Sequence, residues 1–314
     1  MAYEFVTVDV FTKTRYEGNP LAIIKVPKSA TLTQKQKQSI AAEFNLSEST
    51  FLHERSGEAY EWTVDIFMTD KELPFAGHPT IGTAYHALSE IAESGAHTGD
   101  EIIKAVFNVK AGKIDLQYNI PDKTAKASIP HNVNIHQRTC SRESLGQFQP
   151  GLKTAEESGT TSLKESSPVV SIVKGMTFVL VELADEKALG AVSTTSSSIE
   201  FTDLDQNWNE TFVGWYFYVQ LGSSEGGVIK LRTRMIEGLL EDPATGSATS
   251  ALAGYLSLKE GKAGTTLKYE MTQGVEMGRR SEIGIEVAMA ESQGIDTISL
   301  IGSAVRVMEG RVIA

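Results

Sequence analysis

The sequence predicts an α+β protein of two related lobes, each built around one central helix. Three observations lead there. The stretch EDPATGSATSALAGYL at 241–256 has a worn copy, FAGHPTIGTAYHAL, at 75–88. Aligned without gaps, His78 falls on Asp242, Pro79 on Pro243, Gly82 on Gly246, Thr83 on Ser247, Ala84 on Ala248 and Leu88 on Leu252. An offset of 164 in a chain of 314 residues is the spacing of two lobes, not of a short-period solenoid. Secondly, the helix expected from Ala244 to about Leu258 is apolar nearly all round, so strands should wrap around it. Thirdly, most of the remaining chain reads as short strands separated by turn residues.

Each copy places a polar or acidic residue before Pro, then a small-residue turn, then an apolar run at helical spacing. Pro is favoured at the first helical position, where its missing N–H would be unpaired anyway, so each copy reads as a helix start with His78 or Asp242 at the cap. Two such starts, one per lobe, could bring free N–H groups and the positive end of each helix dipole to a shared cleft that holds a substrate carboxylate. Alternatively, the small residues only let helices pack closely.

In chain order, 3–11 and 21–26 read as strands around a turn ending in Gly18-Asn19-Pro20. Thr31 and Gln34 fit a capping box that opens a helix to about Glu43. Asn45, Ser47 and Ser49 are poor helix continuers, which leaves Glu48 at a helix-to-strand junction before Thr50-Phe51-Leu52. By itself such a carboxylate reads as a solvated loop charge. A strand at 60–68 leads into the first copy, whose helix carries Ile81, Ala84, Tyr85, Leu88 and Ile91, with His86 as a packing or surface residue. Segments 101–110, 113–120 and 124–129 form an antiparallel meander that closes the first lobe at 1–129, joined by the last strand at about 302–314. The polar stretch 131–167 reads as a crossing with a short helix at 141–148 and an exposed loop. In the second lobe, 130–301, strands are expected at 168–174, 177–183, 212–221 and 228–235, with a short helix at 185–190 and a Ser/Thr-rich segment at 194–206. After the second copy, strands follow at 265–271, 282–289, 296–301 and 304–308.

Composition narrows the function. With 41% apolar and 22% charged residues the chain is that of a globular protein, and a formal charge of −11 argues against nucleic-acid or anionic-membrane partners, which require a basic face. No stretch approaches the roughly 18 apolar residues of a membrane span. The opening MAYEFVTVDVF carries Glu4 and Asp9 where a secretory leader would be basic and then apolar, and the single Cys140 fits a reducing compartment, so a cytoplasmic protein is expected. Cys140, in HQRTCSRES, reads as a bystander thiol.

Several chemistries fall away. Ser247 lacks the flanking glycines of a nucleophile elbow, no G-x-G-x-x-G opens a helix, GKAGTT at 261–266 lacks Walker spacing, and the six histidines show no metal-ligand spacing. Glu48, His78, Asp242 and Ser247 remain, beside glycine-rich helix starts. That set suits proton transfer: a carboxylate tuned by burial, a histidine and an aspartate to orient it, and backbone donors for an anion.

GNPLAII at 18–24, NLSESTF at 45–51, FAGHPTIG at 75–82, EDPATGSA at 241–248 and QGVEMGRRS at 273–281 together resemble the PhzF-like phenazine-biosynthesis family over nearly the whole chain. The resemblance implies a diaminopimelate-epimerase-like fold: two pseudo-symmetric lobes, each a central helix wrapped in a mostly antiparallel barrel-like sheet, with the site between them. It implies a cofactor-free, metal-free isomerase whose motif glutamate moves a proton across a substrate ring. By motif, that residue is Glu48, accompanied by His78, Asp242 and Ser247, with Gly77, Thr80, Thr245 and Gly246 binding substrate. A homodimer is implied as well. MIEGLL at 235–240 and the 131–167 crossing depart from the family pattern.

Three functions follow as expectations: a proton-shifting isomerase on a small, cyclic carboxylate; an amino-acid racemase or epimerase using Glu48 with His78 or Asp242 as its second base; and an idle protein that binds a small acid.

Overall fold

In the computed structural model, which describes residues 1–55, 57, 59–97, 99–197, 201–209 and 211–314, the opening runs form β1 (Ala2–Val10) and β2 (Asn19–Val26), paired antiparallel. α1 (Gln34–Phe44) follows, and its capping box lies two residues later than the sequence suggested, on Thr33 and Gln36. Both pairs fit the motif, but Thr33 is the one whose side chain accepts from the third helical N–H. β3 (Ser49–His53) runs parallel to β2, and β4 (Glu61–Phe67) antiparallel to β3. A two-residue strand not foreseen in the sequence, β5 (Glu72–Leu73), folds back on β4. α2 (Gly77–Ser94) is buried along Ile81, Ala84, Leu88 and Ile91. Its Gly82 lets the helix sit against β1 and β2, because a Cβ there would come within 2.6 Å of Val10 and 2.7 Å of Leu21. β6 (Ile102–Val109) is parallel to β4, and β7 (Gly112–Asn119) and β8 (Thr124–Ser128) complete the expected meander.

The polar crossing is more ordered than its composition suggested. It contains β9 (Asn134–Ser141), α3 (Arg142–Phe148) and α4 (Pro150–Glu157). β9 pairs with β10 (Ser166–Val173) and turns only His136 and Cys140 fully inward. Six of its eight positions are not buried, which hid that strand in the sequence. Cys140 is therefore a core residue, 2% exposed beside Leu145 and Leu152, and burial pushes its thiol up to about 11.

β11 (Met176–Glu182), α5 (Glu186–Gly190), β12 (Phe212–Ser223), β13 (Ile229–Glu237) and β14 (Leu240–Asp242) come next. Residues 198–200 of the Ser/Thr-rich segment lie outside the described residues. α6 (Gly246–Glu260) is buried on every side, as its composition required. β15 (Thr266–Gln273), β16 (Ser281–Met289), β17 (Ile295–Gly302) and β18 (Ala304–Ile313) finish the chain.

The chain divides into two units, Met1–Pro130 with Ser299–Ala314, and His131–Ile298. β18 belongs to the first, paired antiparallel with β1. Pairings repeat step for step. Antiparallel β1/β2, parallel β2/β3, antiparallel β3/β4 and β4/β5 and parallel β4/β6 correspond to β10/β11, β11/β12, β12/β13, β13/β14 and β13/β15.

Register corrects the sequence alignment. Ile66 faces Leu73 and Phe67 faces Glu72, just as Met235 faces Asp242 and Ile236 faces Glu241. Equivalent positions are thus 169 apart, not 164: Glu72 with Glu241, Pro74 with Pro243, Gly77 with Gly246, His78 with Ser247 and Thr80 with Thr249. The gapless match had aligned Pro79 with Pro243, whereas Pro79 is the third residue of α2 and Pro243 precedes α6. The caps move accordingly. They are Ala76 and Thr245, with His78 in the first turn of α2 and Asp242 three residues ahead of its cap.

Candidate active site

In the first unit, the chain leaves α1 through Asn45, whose backbone is left-handed at φ 51°, and reaches β3 by way of Glu48. Two residues on, the Thr50 hydroxyl meets that of Thr83 at 2.9 Å, both fully buried, so the start of β3 is tied to α2. The tie sets Glu48 beside the first turn of the helix. Its Oε2 lies 3.4 Å from Nδ1 of His78, and their side chains are 17% and 6% exposed. Burial raises the Glu48 pKa, opposed in part by a hydrogen bond from Ser47. A buried carboxylate of raised pKa next to an imidazole is an arrangement suited to taking up and returning a proton.

Thr80, expected to bind substrate, is 1% exposed and donates its hydroxyl to the Ala76 carbonyl at 2.7 Å. It closes the first helical turn. Gly77 supplies an N-terminal position of an 18-residue helix, where free backbone N–H groups point along the axis out of the helix end.

In the second unit, Asp242 ends β14 and organises the turn before α6. Its Oδ1 accepts from the Ala244 N–H at 3.3 Å and its Oδ2 from the Thr245 hydroxyl at 2.6 Å. The hydroxyl of Thr245 is thus committed to Asp242, and Thr245 stands at the N-cap of α6 without a side-chain capping bond. Gly246 and half-buried Ser247 open that helix. Thr249 repeats the closure made by Thr80, donating to the Thr245 carbonyl at 2.8 Å. The structure brings Glu48 and His78 together in one unit, and Asp242, Thr245, Gly246 and Ser247 in the other.

A group absent from the sequence reading lies beneath the second turn. Gln273, fully buried at the end of β15, donates to the Asp242 carbonyl at 2.8 Å and to the Thr245 hydroxyl oxygen at 3.0 Å. The Tyr216 hydroxyl lies 3.1 Å from Gln273 Oε1. The signal was present, since Gln273 opens the QGVEMGRRS signature, but spacing alone gave it no partner.

One further constellation has the order of a hydrolase triad. His136 Nδ1 stands 3.4 Å from Asp205 and its Nε2 2.8 Å from the Ser171 hydroxyl. Ser171, however, is fully buried and also bonded to Thr177 at 2.6 Å, so no substrate reaches it. Among the described residues, no group of three or more His, Cys, Asp or Glu is placed to hold a metal ion, and no helix is long and apolar enough to cross a membrane.

The fold is of the diaminopimelate-epimerase-like class. The crystal structure of a phenazine biosynthesis protein of the PhzF family from Bacillus anthracis superposes with a TM-score of 0.77, covering all of both chains at 22% identity. Residues 8–310 match the model of the phenazine biosynthesis-like (PhzC-PhzF) proteins, and the chain belongs to that family. Relatives include an uncharacterized isomerase of Mesorhizobium japonicum, 29% identical over 98% of both chains, and a trans-2,3-dihydro-3-hydroxyanthranilate isomerase of Pseudomonas fluorescens, 29% identical over 99% of both.

Proposed function

We propose that the protein is a cofactor-independent isomerase that shifts a proton along a small, cyclic carboxylate. Glu48 as carboxylate takes a proton from carbon, the freed electron pair moves into the adjoining π-system, and the resulting acid returns the proton to another carbon while the double bond migrates. His78 holds Glu48 and a polar group of the substrate. The family motifs support Gly77, Gly246, Ser247 and Asp242 as substrate-binding residues.

The observation that carries this reading is the Glu48–His78 pair, which stands in one repeat of the scaffold and has no equivalent at the matching positions of the other. By strand register, the counterpart of Glu48 is Gly214, where a Cβ would already meet Met235 at 2.9 Å, and the counterpart of His78 is Ser247. One proton carrier suits a shift within one molecule, whereas racemisation through opposed bases would call for a second acid/base group facing Glu48 across the substrate. The names of the two relatives support the same class. The test is incubation with trans-2,3-dihydro-3-hydroxyanthranilate and a panel of cyclic carboxylates, followed by proton NMR. A double-bond isomer is expected; an inverted stereocentre with the double bonds unmoved would favour an epimerase. The resemblance also supports a homodimer in the cytoplasm, which sedimentation equilibrium and cell fractionation check.

A further inference from the structure

The two units share a scaffold but not its polar filling, and that difference isolates one more residue. In the second unit, hydrogen bonds run in one direction toward the Asp242 carboxylate. The Tyr216 hydroxyl donates to Gln273 Oε1, Gln273 Nε2 donates to Thr245 Oγ1, and Thr245 donates to Asp242 Oδ2. The second amide hydrogen of Gln273 serves the Asp242 main-chain carbonyl, so one side chain holds both the backbone and, through Thr245, the carboxylate of the same residue. Thr233 and Thr249 hydroxyls, at 3.1 and 2.9 Å from the Tyr216 oxygen, complete its surroundings. Each of Tyr216, Thr233, Thr249 and Gln273 is fully buried.

The first unit builds the same turn without the Gln273–Thr245–Asp242 chain, although Thr80 stands where Thr249 does and Thr50 where Tyr216 does. Register places Leu73 opposite Ile66 as Asp242 is opposite Met235, and it makes Ala76 the counterpart of Thr245. Thr63 faces Asn108 as Arg232 faces Thr272, so the next residues correspond: Val64 to Thr233 and Val109 to Gln273. The hairpin, the turn and the helix start all form over Leu73, Ala76, Val64 and Val109. A buried polar chain costs desolvation unless every member is bonded, and the apolar version shows that the fold does not require it. Its one distinguishing product is a fixed carboxylate at 242.

We infer that Gln273 is a positioning residue of the active site, which sets the rotamer of Asp242 through Thr245 for the proton-shift chemistry proposed above, on which this role rests. It touches no substrate. Gln offers what the position needs: two donors for the two oxygens of the turn and one acceptor for Tyr216. A protonated glutamate there would supply one of those two hydrogens, whereas a carboxylate would face the Thr245 oxygen and the Asp242 carbonyl with none to give.

The test uses Gln273→Leu and Gln273→Glu in the full chain. A crystal structure of Gln273→Leu should show the Thr245 hydroxyl turned away from Asp242 and the carboxylate displaced; a carboxylate still in place with its Thr245 bond intact overturns the inference. With trans-2,3-dihydro-3-hydroxyanthranilate as probe, Gln273→Leu should lose about 10- to 100-fold in kcat, as expected for a misplaced group, while keeping a cooperative melt. Gln273→Glu should come nearest to the wild-type rate at pH 5, where burial keeps the new carboxyl protonated and one of the two bonds can form, and fall toward the Leu variant by pH 8. Parallel pH profiles for wild type and Gln273→Glu also overturn it. Failure of the wild type to act on the probe would count against the isomerase reading alone, and the crystal structure would still decide the role of Gln273.

Discussion

Arg234 grips Glu241 through two parallel hydrogen bonds of 2.8 Å, from Nε and Nη2 to the two carboxylate oxygens. The third nitrogen, Nη1, donates to the carbonyls of Leu189 and Val192 behind α5, and the two side chains are only 7% and 12% exposed. This pair pins the hairpin of β13 and β14 immediately before Asp242. Removing one partner of such a buried pair strands the other, so Arg234→Ala should cost about 3–5 kcal/mol in urea unfolding. Arg234→Ala with Glu241→Ala together should cost less than the sum of the two single changes.

Glu48 gives a prediction of opposite sign. Because burial raises its pKa, the folded protein binds a proton there more readily than the unfolded chain, and ionising it opposes folding above the ordinary carboxylate range. Glu48→Gln should therefore raise Tm at pH 7 and leave it unchanged near pH 4. In wild type the same shift places the acid limb of kcat/KM above the usual pKa of a glutamate, with activity lost as pH falls and Glu48 takes up its proton.

His86 predicts an acid weakness. It is buried on α2, 3.5 Å from Glu90, and burial lowers its pKa to about 4, with Lys25 and Arg306 adding to the effect and Glu90 opposing it. The unfolded chain then binds the proton first, so stability drops as pH falls below about 6.5 and levels off once the folded histidine titrates. The loss should be on the order of 2 kcal/mol by pH 5. Thermal melts of His86→Gln between pH 7 and 4 should lack that part of the decline.

Gly82 tests the seating of α2. Alanine is the better helix former by about 1 kcal/mol. Its methyl would nevertheless overlap Val10 and Leu21, so Gly82→Ala should destabilise by about 1–3 kcal/mol. Denaturant titration reads the sign.

How far the sequence reached depended on what each residue's neighbours revealed. The enclosure of α6 was legible because an all-round apolar helix has no alternative, and the junction at Glu48 because Asn45, Ser47 and Ser49 break a helix locally. Glu48 and His78 could be paired only through family motifs, since the Thr50–Thr83 tie that seats them joins residues 33 apart. The repeat was visible but slipped by five residues, because the match was anchored on Pro79, whose counterpart by register is Ala248 and not a proline, instead of on Glu72-x-Pro74 and Glu241-x-Pro243. β9 was hidden by its mostly solvent-facing side chains, and Gln273 by the distance of 31 residues to the Asp242 carbonyl it serves.

In the proposed reaction the Glu48 carboxylate carries the proton. The most direct measurement is deuterium incorporation into trans-2,3-dihydro-3-hydroxyanthranilate and related cyclic carboxylates in heavy water, comparing wild type with Glu48→Gln of verified fold. Incorporation at the accepting carbon by wild type, with a loss of about 100-fold or more in the variant, is the predicted result. Equal incorporation by the two proteins would contradict it.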